Sequence, residues 1–154
     1  MTGLFLEDFA VGQVYLSGET TVNADNIRSF ASEFDPQPFH LDETAAQASL
    51  FKGLAASGWH TAAMTMRLLV ESGLRPAGGL IGAGGDEIRW PRPTRPGDTL
   101  RCVSEILEVR ASAKRSDQGI VKIKTTTTNA AGAAVQIVVM NIIVRRRPPA
   151  APDG

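Results

Sequence analysis

Segment 35–40, with the sequence DPQPFH, brings a carboxylate and an imidazole close together in the chain, at Asp35 and His40. Each of its two prolines fixes its own φ and keeps the residue before it out of the helical region. We therefore expect an extended turn here and no regular helix. A carboxylate and a neutral imidazole that converge on one water can activate it by accepting or orienting its protons. Surface turns also favour Asp and Pro, so a plain turn is the alternative.

Helical periodicity predicts the elements that would position this pair. Apolar residues at helical spacing indicate a short amphipathic helix over residues 26–34, which leads directly into the Asp-Pro segment. A second short helix, capped by Asp42 or Thr44, follows. The longest helical signal spans residues 59–72 and is almost entirely apolar, so we expect that helix to be buried on most sides and stopped by Gly73.

Alternating β-branched residues predict a sheet. The expected strands span residues 9–18, 80–90, 99–109, 120–129 and 134–145. Alternation of apolar and charged residues in 107–110 and 121–124 indicates one buried and one wetted face, which is typical of antiparallel sheets. The sequence therefore predicts an α+β fold in which the sheet can wrap around the apolar helix.

Length and composition bound the class of protein. The 154 residues suffice for one domain, and 16 basic and 16 acidic residues balance to zero, which favours neither nucleic acid nor a membrane surface as partner. The single cysteine and the lack of zinc-site spacing predict a reducing, cytoplasmic setting and no metal site. The first residues lack the pattern of a signal peptide, and no stretch reaches the ~18 apolar residues of a membrane span.

Two further segments give the Asp/His pair a context: 53–61 (GLAASGWHT) and 85–100 (GDEIRWPRPTRPGDTL). Together with segment 35–40 they resemble the MaoC-like dehydratases, which include (R)-specific enoyl-CoA hydratases. That family combines a D-x-[NQ]-P-x-H-x-D-like loop, a glycine-rich approach to a central helix and a P-x-x-P-G-D-T-L-like turn. The three features occur here in the same order, and the resemblance extends over roughly residues 9–144.

The resemblance implies a hot-dog fold, in which an antiparallel sheet wraps around a long central helix. It implies a single such domain over residues 1–147, followed by a disordered tail over 148–154. The arginine-rich end from residue 145 onward is expected to be solvated. Members of the family pair as dimers, and the apolar run 137–144 favours a covered strand, so a homodimer or a dimer of dimers is expected.

The resemblance also implies a reaction. Asp35 and His40 match the residues that bind a catalytic water, which adds across the C2–C3 double bond of an enoyl thioester or leaves in the reverse dehydration. The thioester carbonyl gathers negative charge, and the backbone N–H of Gly58 at the start of the apolar helix is the expected donor to it. A plain helix-start glycine is the alternative reading of Gly58. The implied substrate is an acyl-CoA or acyl-carrier thioester, with no cofactor besides.

Weaker candidates surround these three residues. Ser57 is expected either near the carbonyl or as a helix cap, and Gln37 is expected to lock the loop through the backbone. Trp59 and Trp90 could line an acyl tunnel, although large aromatics beside a core helix are usually core residues. His60 is expected to be a packed or capping residue rather than a second base.

A basic rim for the phosphates of coenzyme A is expected near the turn that ends at Gly97. Its candidate residue for substrate binding is Arg89, with Arg92 and Arg95 beside it. Asp86 and Glu87 could neutralise this patch. Strand-end arginines are usually only solvated, which is the alternative reading.

Two other functions of the same fold stay open. A hot-dog thioesterase needs a carboxylate on or near the central helix, and Glu71 lies at the far end of that helix. A non-catalytic acyl-thioester-binding module would tolerate loss of the Asp/His pair, and both residues are present. The length and branching of the acyl chain are set by residues distant in sequence, although the shortness of the chain favours short substrates.

Overall fold

The computed structural model describes residues 2–152 of the chain. A 3₁₀ turn, Leu6–Asp8, precedes strand β1 (Val14–Thr21), and the helices follow as α1 (Ala24–Phe34), α2 (Pro38–Leu41), α3 (Glu43–Gln47) and α4 (Gly58–Val70). The remaining strands are β2 (Ile81–Arg89), β3 (Thr99–Ala111), β4 (Gln118–Thr128) and β5 (Ala134–Arg145). The strands form one antiparallel sheet in the order β1-β3-β4-β5-β2. The predicted α+β class is confirmed.

Helix α4 packs against the inner face of this sheet. Alternation along β4 buries Val121 and Ile123 on that face and leaves Lys122 and Lys124 on the outer one. Two clusters of apolar side chains fill the space beneath α4, one around Ile106 and Ile142 and the other around Ile27, Leu68 and Leu100. The central helix is thus held along its length by residues from all parts of the chain.

Buried hydroxyl pairs join α4 to the sheet and to the turn before β3. The Thr65 and Thr127 hydroxyls lie 2.7 Å apart, and the Thr61 hydroxyl donates to the Thr94 hydroxyl at 3.0 Å. Buried polar groups cost stability unless they are paired, so these contacts restrict the position of α4 more strictly than apolar packing would. They fix the helix end at which the candidate site lies.

Two sequence-based expectations about the helices are wrong. Residues 38–41 form a helical turn, because proline is tolerated at the first position of a helix, where its missing N–H has no partner anyway. Helix α4 is buried on most sides, as expected, and its exposed residues form a single stripe that runs from Trp59 through Ala63 and Arg67 to Val70. The helix ends at Val70, ahead of the expected stop at Gly73.

Strand β1 begins later than the sequence predicts. Residues 11 and 12 form a turn, and the strand pairs with β3 through Thr21, with a bulge between Leu16 and Glu19. The first residue of α1 is Ala24, because the side chain of Asn23 caps the helix by accepting a hydrogen bond from Asn26 N at 2.7 Å. These shifts move the ends of elements and leave their order as predicted.

The chain is ordered by specific contacts beyond the last strand. Arg147 donates to the Asp8 carboxylate at 2.7 Å and lies over the Phe5 ring, while its backbone N–H donates to Glu7. Arg147 is nevertheless exposed, as expected for the end from residue 145 onward, and these contacts connect it to the first residues of the chain. Residues 148–152 have no regular secondary structure, and 153–154, also placed in the expected tail, lie outside the described residues.

The close approach of β4 to the 3₁₀ turn gives a test of the fold. A methyl group at Gly119 would lie closer than 3 Å to the Arg110 carbonyl oxygen and to a Leu6 methyl carbon. We expect Gly119→Ala to lower the free energy of unfolding by about 1–3 kcal/mol in urea denaturation. Gly18→Ala is the matched control, because no described atom lies within 4 Å of its added methyl group. Equal stability of the two variants would contradict this packing.

Candidate active site

Asp35 and His40 lie close together in space as well as in sequence. Helix α1 ends at Phe34, and Asp35 caps it through its N–H, which donates to Ala31 O at 2.9 Å. Gln37 N then donates to Asp35 O at 2.8 Å, and this tight turn before α2 brings the imidazole of His40 back toward the carboxylate. The distance from His40 Nε2 to Asp35 Oδ2 is 3.3 Å. The two side chains are only 5% and 18% exposed, so they face each other in a largely dry environment.

The hydrogen bonds of His40 determine which ring nitrogen carries the hydrogen. Nδ1 lies 2.6 Å from the carbonyl oxygen of Ala55. A carbonyl oxygen only accepts, so Nδ1 carries the hydrogen and Nε2 of the neutral ring presents a lone pair. In the neutral form of the ring, Nε2 and the Asp35 carboxylate are therefore two acceptors that face one another. Such a pair is satisfied by a donor that reaches both, such as the hydrogens of one water or a shared proton.

The surroundings of Asp35 favour its ionised form. Burial, the largest single influence on its pKa, acts to raise it, but hydrogen bonds from Ser57 and Gln37, joined by the charge and the N–H of His40 when that ring is protonated, hold the pKa below its usual value. Gln37 was expected to bond to the backbone, yet its amide donates to Asp35 Oδ1. An ionised carboxylate beside a lone pair can accept protons and orient a donor, which is the arrangement expected for acid–base work.

Aromatic rings enclose the imidazole. The Phe39 ring meets His40 edge-on, with 4.6 Å between centroids, and Phe51 lies 5.9 Å away. His40 as a whole is 4% exposed. Excluding water from around the pair strengthens every electrostatic interaction inside it.

The start of α4 lies next to this pair through Ser57. Ser57 is fully buried and caps α4 by accepting from Trp59 N at 3.2 Å, while its hydroxyl also contributes to the lowered pKa of Asp35. Gly58 is the first helical residue, and a methyl group there would lie 2.6 Å from the Trp90 ring. Glycine is thus required for Trp90 to lie against the end of the helix. Both expected roles of Ser57, cap and neighbour of the site, fit its position.

The two tryptophans form a wall beside the helix start. Trp90 donates to Gln136 Oε1 at 2.9 Å, which fixes its ring, and the Trp59 ring meets it edge-on with 5.2 Å between centroids. Trp59 is 59% and Trp90 39% exposed. They are therefore not core residues, which leaves the expected role in lining a substrate tunnel open to test.

The expected basic rim is only partly present. Ile88 pairs with Val138, and both side chains lie on the face of the sheet that α4 covers. Side chains alternate along a strand, so the next residue, Arg89, lies on the outer face. There it forms an ion pair with Glu87. Asp86 pairs instead with Lys122, at 3.1 Å. Arg92 is exposed. The structure does not bring Arg89 to Asp35 and His40.

Arg95 is directed toward backbone carbonyls. Its guanidinium donates to the carbonyl oxygens of Gly53 at 2.8 Å and Leu54 at 3.4 Å, and to that of Phe51. These carbonyls belong to the loop that precedes α4. Three of the five N–H donors of Arg95 are thus directed into the chain, which does not support its expected contact with a phosphate.

His60 is packed, as expected. Its ring stacks on Phe30 with 4.7 Å between centroids and 9° between planes, which joins α4 to α1. Its Nδ1 is buried and has no hydrogen-bond partner among the described residues, and burial lowers its pKa. A buried imidazole in this state is neutral near pH 7.

Sequence reasoning missed the contributions of two backbone groups and one side chain. The Ala55 carbonyl fixes the tautomer of His40, and the Thr94 carbonyl accepts from Ala56 N at 2.9 Å. Neither has a signal in the residue type. Arg95 was noticed, but its charge indicated a phosphate contact, and only its position shows the carbonyls that it binds.

Comparisons with known proteins show the family to which this chain belongs. The MaoC like domain family matches residues 8–129, more than half of the chain. The chain belongs to the MaoC-like domain family, as its motifs predicted. It is 34% identical over 118 residues, which cover 77% of this chain and 82% of the relative, to the uncharacterized protein YdeM of Bacillus subtilis.

Solved structures confirm the hot-dog fold. The chain matches the MaoC-like dehydratase from Rhodospirillum rubrum with a TM-score of 0.91 and 56% identity, over 95% of this chain and 99% of that one. It matches the (R)-hydratase PhaJ1 from Pseudomonas aeruginosa with a TM-score of 0.74 and 24% identity, over 98% and 97% of the two chains. Within residues 2–152, no helix combines the length and apolarity that crossing a membrane requires.

The unpaired nitrogen of His60 predicts a pH dependence of stability. Because the folded-state pKa lies below 6.5, the unfolded chain binds more protons, and stability is lost as pH falls from 6.5 toward the folded-state pKa. His60→Phe keeps a ring against Phe30 and removes the unpaired atom. We expect it to match or exceed the wild-type free energy of unfolding at neutral pH, by up to about 1–2 kcal/mol, with a flatter pH dependence.

Urea unfolding between about pH 5 and pH 7.5, the range in which histidine titrates, measures both effects. His60→Ala also removes the titrating group but loses the ring contact with Phe30. Its free energy of unfolding should therefore depend as little on pH as that of His60→Phe and should be lower than that of the wild type. If the free energy of unfolding of both variants kept the wild-type dependence on pH, His60 would have the same pKa in the folded and unfolded chain.

Proposed function

We propose that the protein is a hydro-lyase, an enoyl-thioester hydratase or 3-hydroxyacyl-thioester dehydratase that is (R)-specific. The observation that carries this proposal is the pair of facing acceptors, His40 Nε2 and the Asp35 carboxylate, 3.3 Å apart in a dry setting. Membership in the MaoC-like domain family and a fold shared with an (R)-hydratase support it. The reaction is redox-neutral, and the proposal includes no cofactor or metal besides the carrier of the substrate.

In the hydration direction, one water donates one hydrogen bond to His40 Nε2 and the other to Asp35. As the water oxygen forms a bond to C3, Nε2 accepts a proton, and the C2–C3 electron pair moves onto the thioester carbonyl. The resulting enolate collapses when that proton is delivered to C2. The sum is H and OH added across the double bond, and dehydration is the same path reversed.

The enolate oxygen needs a donor, and the N–H of Gly58 is our candidate. As the first residue of α4, a 13-residue helix, Gly58 has an N–H without an acceptor inside the helix. The helix dipole favours negative charge at this end. The preceding residue, Ser57, forms a hydrogen bond with Asp35. The proposed donor is therefore next in sequence to a residue that contacts the catalytic pair.

A small apolar cavity supports a short acyl chain. It lies between α4 and the sheet, has a volume of about 20 Å³ and is lined by Met66, Leu69, Leu74, Leu80, Ile123, Thr125, Val138, Met140 and Ile142. Met66 lies eight residues beyond Gly58, which is about 12 Å along a helix. The space is about that of one water, so an acyl chain would enter it only if Met66 and Met140 moved, and a short chain would require the smaller movement.

The thioester carrier is coenzyme A or an acyl carrier protein. Both end in a phosphopantetheine arm, and the exposed Arg92 in the turn after β2 is the remaining candidate for a phosphate contact. Arg89 would contact a phosphate only after its ion pair with Glu87 is broken. Trp59 and Trp90 are proposed to flank the thioester beside the start of α4.

We propose that the working form is a homodimer or a dimer of dimers. Strand β2 is a sheet edge that is exposed along nearly its whole length, and edge strands present unpaired backbone groups. The exposed side of α4 lies on the same side of the sheet as Trp90 and Ile88. A second copy that covers this surface would also close the site, because Trp59 and Trp90 stand at its margin.

A thioesterase is less well supported. The carboxylate that it needs on the central helix would have to be Glu71, which lies beyond the end of α4 and pairs with Arg67 at 2.9 Å. Ser57, not Glu71, is the α4-end residue that reaches Asp35. A non-catalytic binding module gains no support from a lowered pKa and a fixed tautomer, which are features of acid–base sites.

Hydration of trans-2-enoyl-CoAs tests the proposal directly. We expect loss of the enoyl-thioester absorbance with crotonyl-CoA, weaker activity with longer chains, and an (R)-alcohol as product in a stereospecific coupled assay. Asp35→Asn removes a proton acceptor from the pair, so turnover should fall by ~10²–10⁴ with little change in substrate affinity. Asp25→Asn is the control, because Asp25 lies on α1 with a fully exposed carboxylate.

The outcomes separate the candidate functions. Release of free thiol without hydration would replace the hydratase with a thioesterase. Binding of enoyl-CoA without either reaction would point to a binding module, and full activity of Asp35→Asn would exclude the proposed role of the Asp35 carboxylate in holding the water.

The association surface is tested independently of catalysis. Val70 and Val11 are both exposed, at 55% and 67%, but only Val70 lies on the exposed side of α4. We expect Val70→Glu to shift the mass measured by sedimentation from an oligomer toward a monomer, since a charge buried at an interface is unfavourable. Val11→Glu should retain the oligomer. A monomeric wild type, or equal behaviour of both variants, would remove this surface from the proposal.

A further inference from the structure

The loop between α3 and α4 holds the carbonyl that fixes His40. Its backbone takes two uncommon conformations, at Lys52 (φ 58) and Gly53 (φ 156), the first of which is unfavourable for a side-chain-bearing residue. Ala55, which supplies the carbonyl, is fully buried. A loop with such a backbone keeps its shape only where the surrounding structure determines it.

The turn between β2 and β3 supplies that constraint. The guanidinium of Arg95 donates to the carbonyl oxygens of Phe51, Gly53 and Leu54, so one planar group gathers three successive parts of the loop. Arg95 is itself fixed, because its backbone N–H donates to Asp98 Oδ2 at 2.8 Å. The loop cannot move relative to the turn without breaking these bonds.

Three further hydrogen bonds connect this part of the loop to the catalytic pair and to the turn. Next to the carbonyls that Arg95 binds, Ala55 N donates to Phe39 O at 3.3 Å and its carbonyl accepts from His40 Nδ1. Ala56 N donates to Thr94 O, in the same turn as Arg95. The Ala55 carbonyl is thus held between Arg95 on one side and Thr94 on the other.

We propose that Arg95 is a positioning residue for His40. By binding the loop, Arg95 holds the Ala55 carbonyl oxygen in place, and that oxygen keeps the hydrogen of the neutral imidazole on Nδ1. Nε2 then keeps its lone pair toward Asp35. The kinetic part of this inference rests on the proposed hydratase function, and the tautomer part does not. The substitution that tests it is Arg95→Gln, which shortens the side chain and removes the three-carbonyl clamp.

Nitrogen NMR of the imidazole tests the tautomer part without any substrate. In the wild type we expect the ¹⁵N shifts of neutral His40 to show hydrogen on Nδ1 alone. In Arg95→Gln we expect a mixture of the two tautomers. Arg92→Gln is the matched control, since Arg92 lies in the same turn, carries the same charge and is exposed, and it should leave the wild-type shifts unchanged. Wild-type shifts in Arg95→Gln would overturn the inference.

Kinetics with crotonyl-CoA test the consequence. We expect Arg95→Gln to lower kcat about 10–100-fold with KM nearly unchanged, the size of effect known for groups that orient a functional residue indirectly. In a His40→Gln background the same change should cause no further loss, because its effect passes through His40. A loss of equal size in both backgrounds would show that Arg95 acts only on general stability and would overturn the positioning role.

Additional experiments distinguish a loss of folding from a loss of function. Circular dichroism and thermal unfolding are measured on every variant, and if Arg95→Gln fails to fold, Arg95→Lys replaces it, which keeps the charge but cannot span three carbonyls. Added guanidinium ion at low concentration should partly restore the Nδ1 tautomer in the variant, and potassium ion should not. If the wild type proves inactive with enoyl-CoA, the hydratase proposal fails while the NMR outcome still decides the role of Arg95.

Discussion

The hydrogen bond from His40 Nδ1 to the Ala55 carbonyl is the constraint on which the rest of the site depends. With the hydrogen on Nδ1, Nε2 and Asp35 are both acceptors, and a third molecule must supply the hydrogens between them. With the other tautomer, Nε2–H would donate directly to Asp35, and the two groups would satisfy each other. In that tautomer the bare Nδ1 would face the Ala55 carbonyl oxygen at 2.6 Å, acceptor against acceptor, and Nε2 would have no lone pair to take a proton from water.

Three segments of the fold place the residues of the site, and local sequence features determine the conformation of each segment. The end of α1 presents Asp35, Pro38 begins the helical turn that carries His40, and the capped start of α4 adds Ser57. The antiparallel sheet then places the turn before β3 against the loop before α4, where Arg95 binds its carbonyls. The site therefore depends on contacts between residues far apart in sequence, and the sheet supplies their register.

Much of the fold and part of the site could be predicted from sequence, for identifiable reasons. Alternation and helical spacing are properties of single segments, so the element order and the α+β class followed from them, and the Asp35/His40 motif indicated the family. The helical turn at Pro38 was missed because proline breaks helices except at their first position. The role of Arg95 and the outer position of Arg89 depend on register between strands, and no local pattern encodes that.

Glycine-rich β2 connects the site to the surface of the chain. Gly82, Gly84 and Gly85 weaken it as an isolated strand, since glycine contributes no packing and loses more freedom on folding. The strand nonetheless ends at Trp90, whose ring lies on Gly58 at the start of α4. A second copy bound at the exposed edge of β2, as proposed above, would therefore also stabilise the wall of the site. By linkage, a ligand that orders Trp90 would in turn strengthen that association.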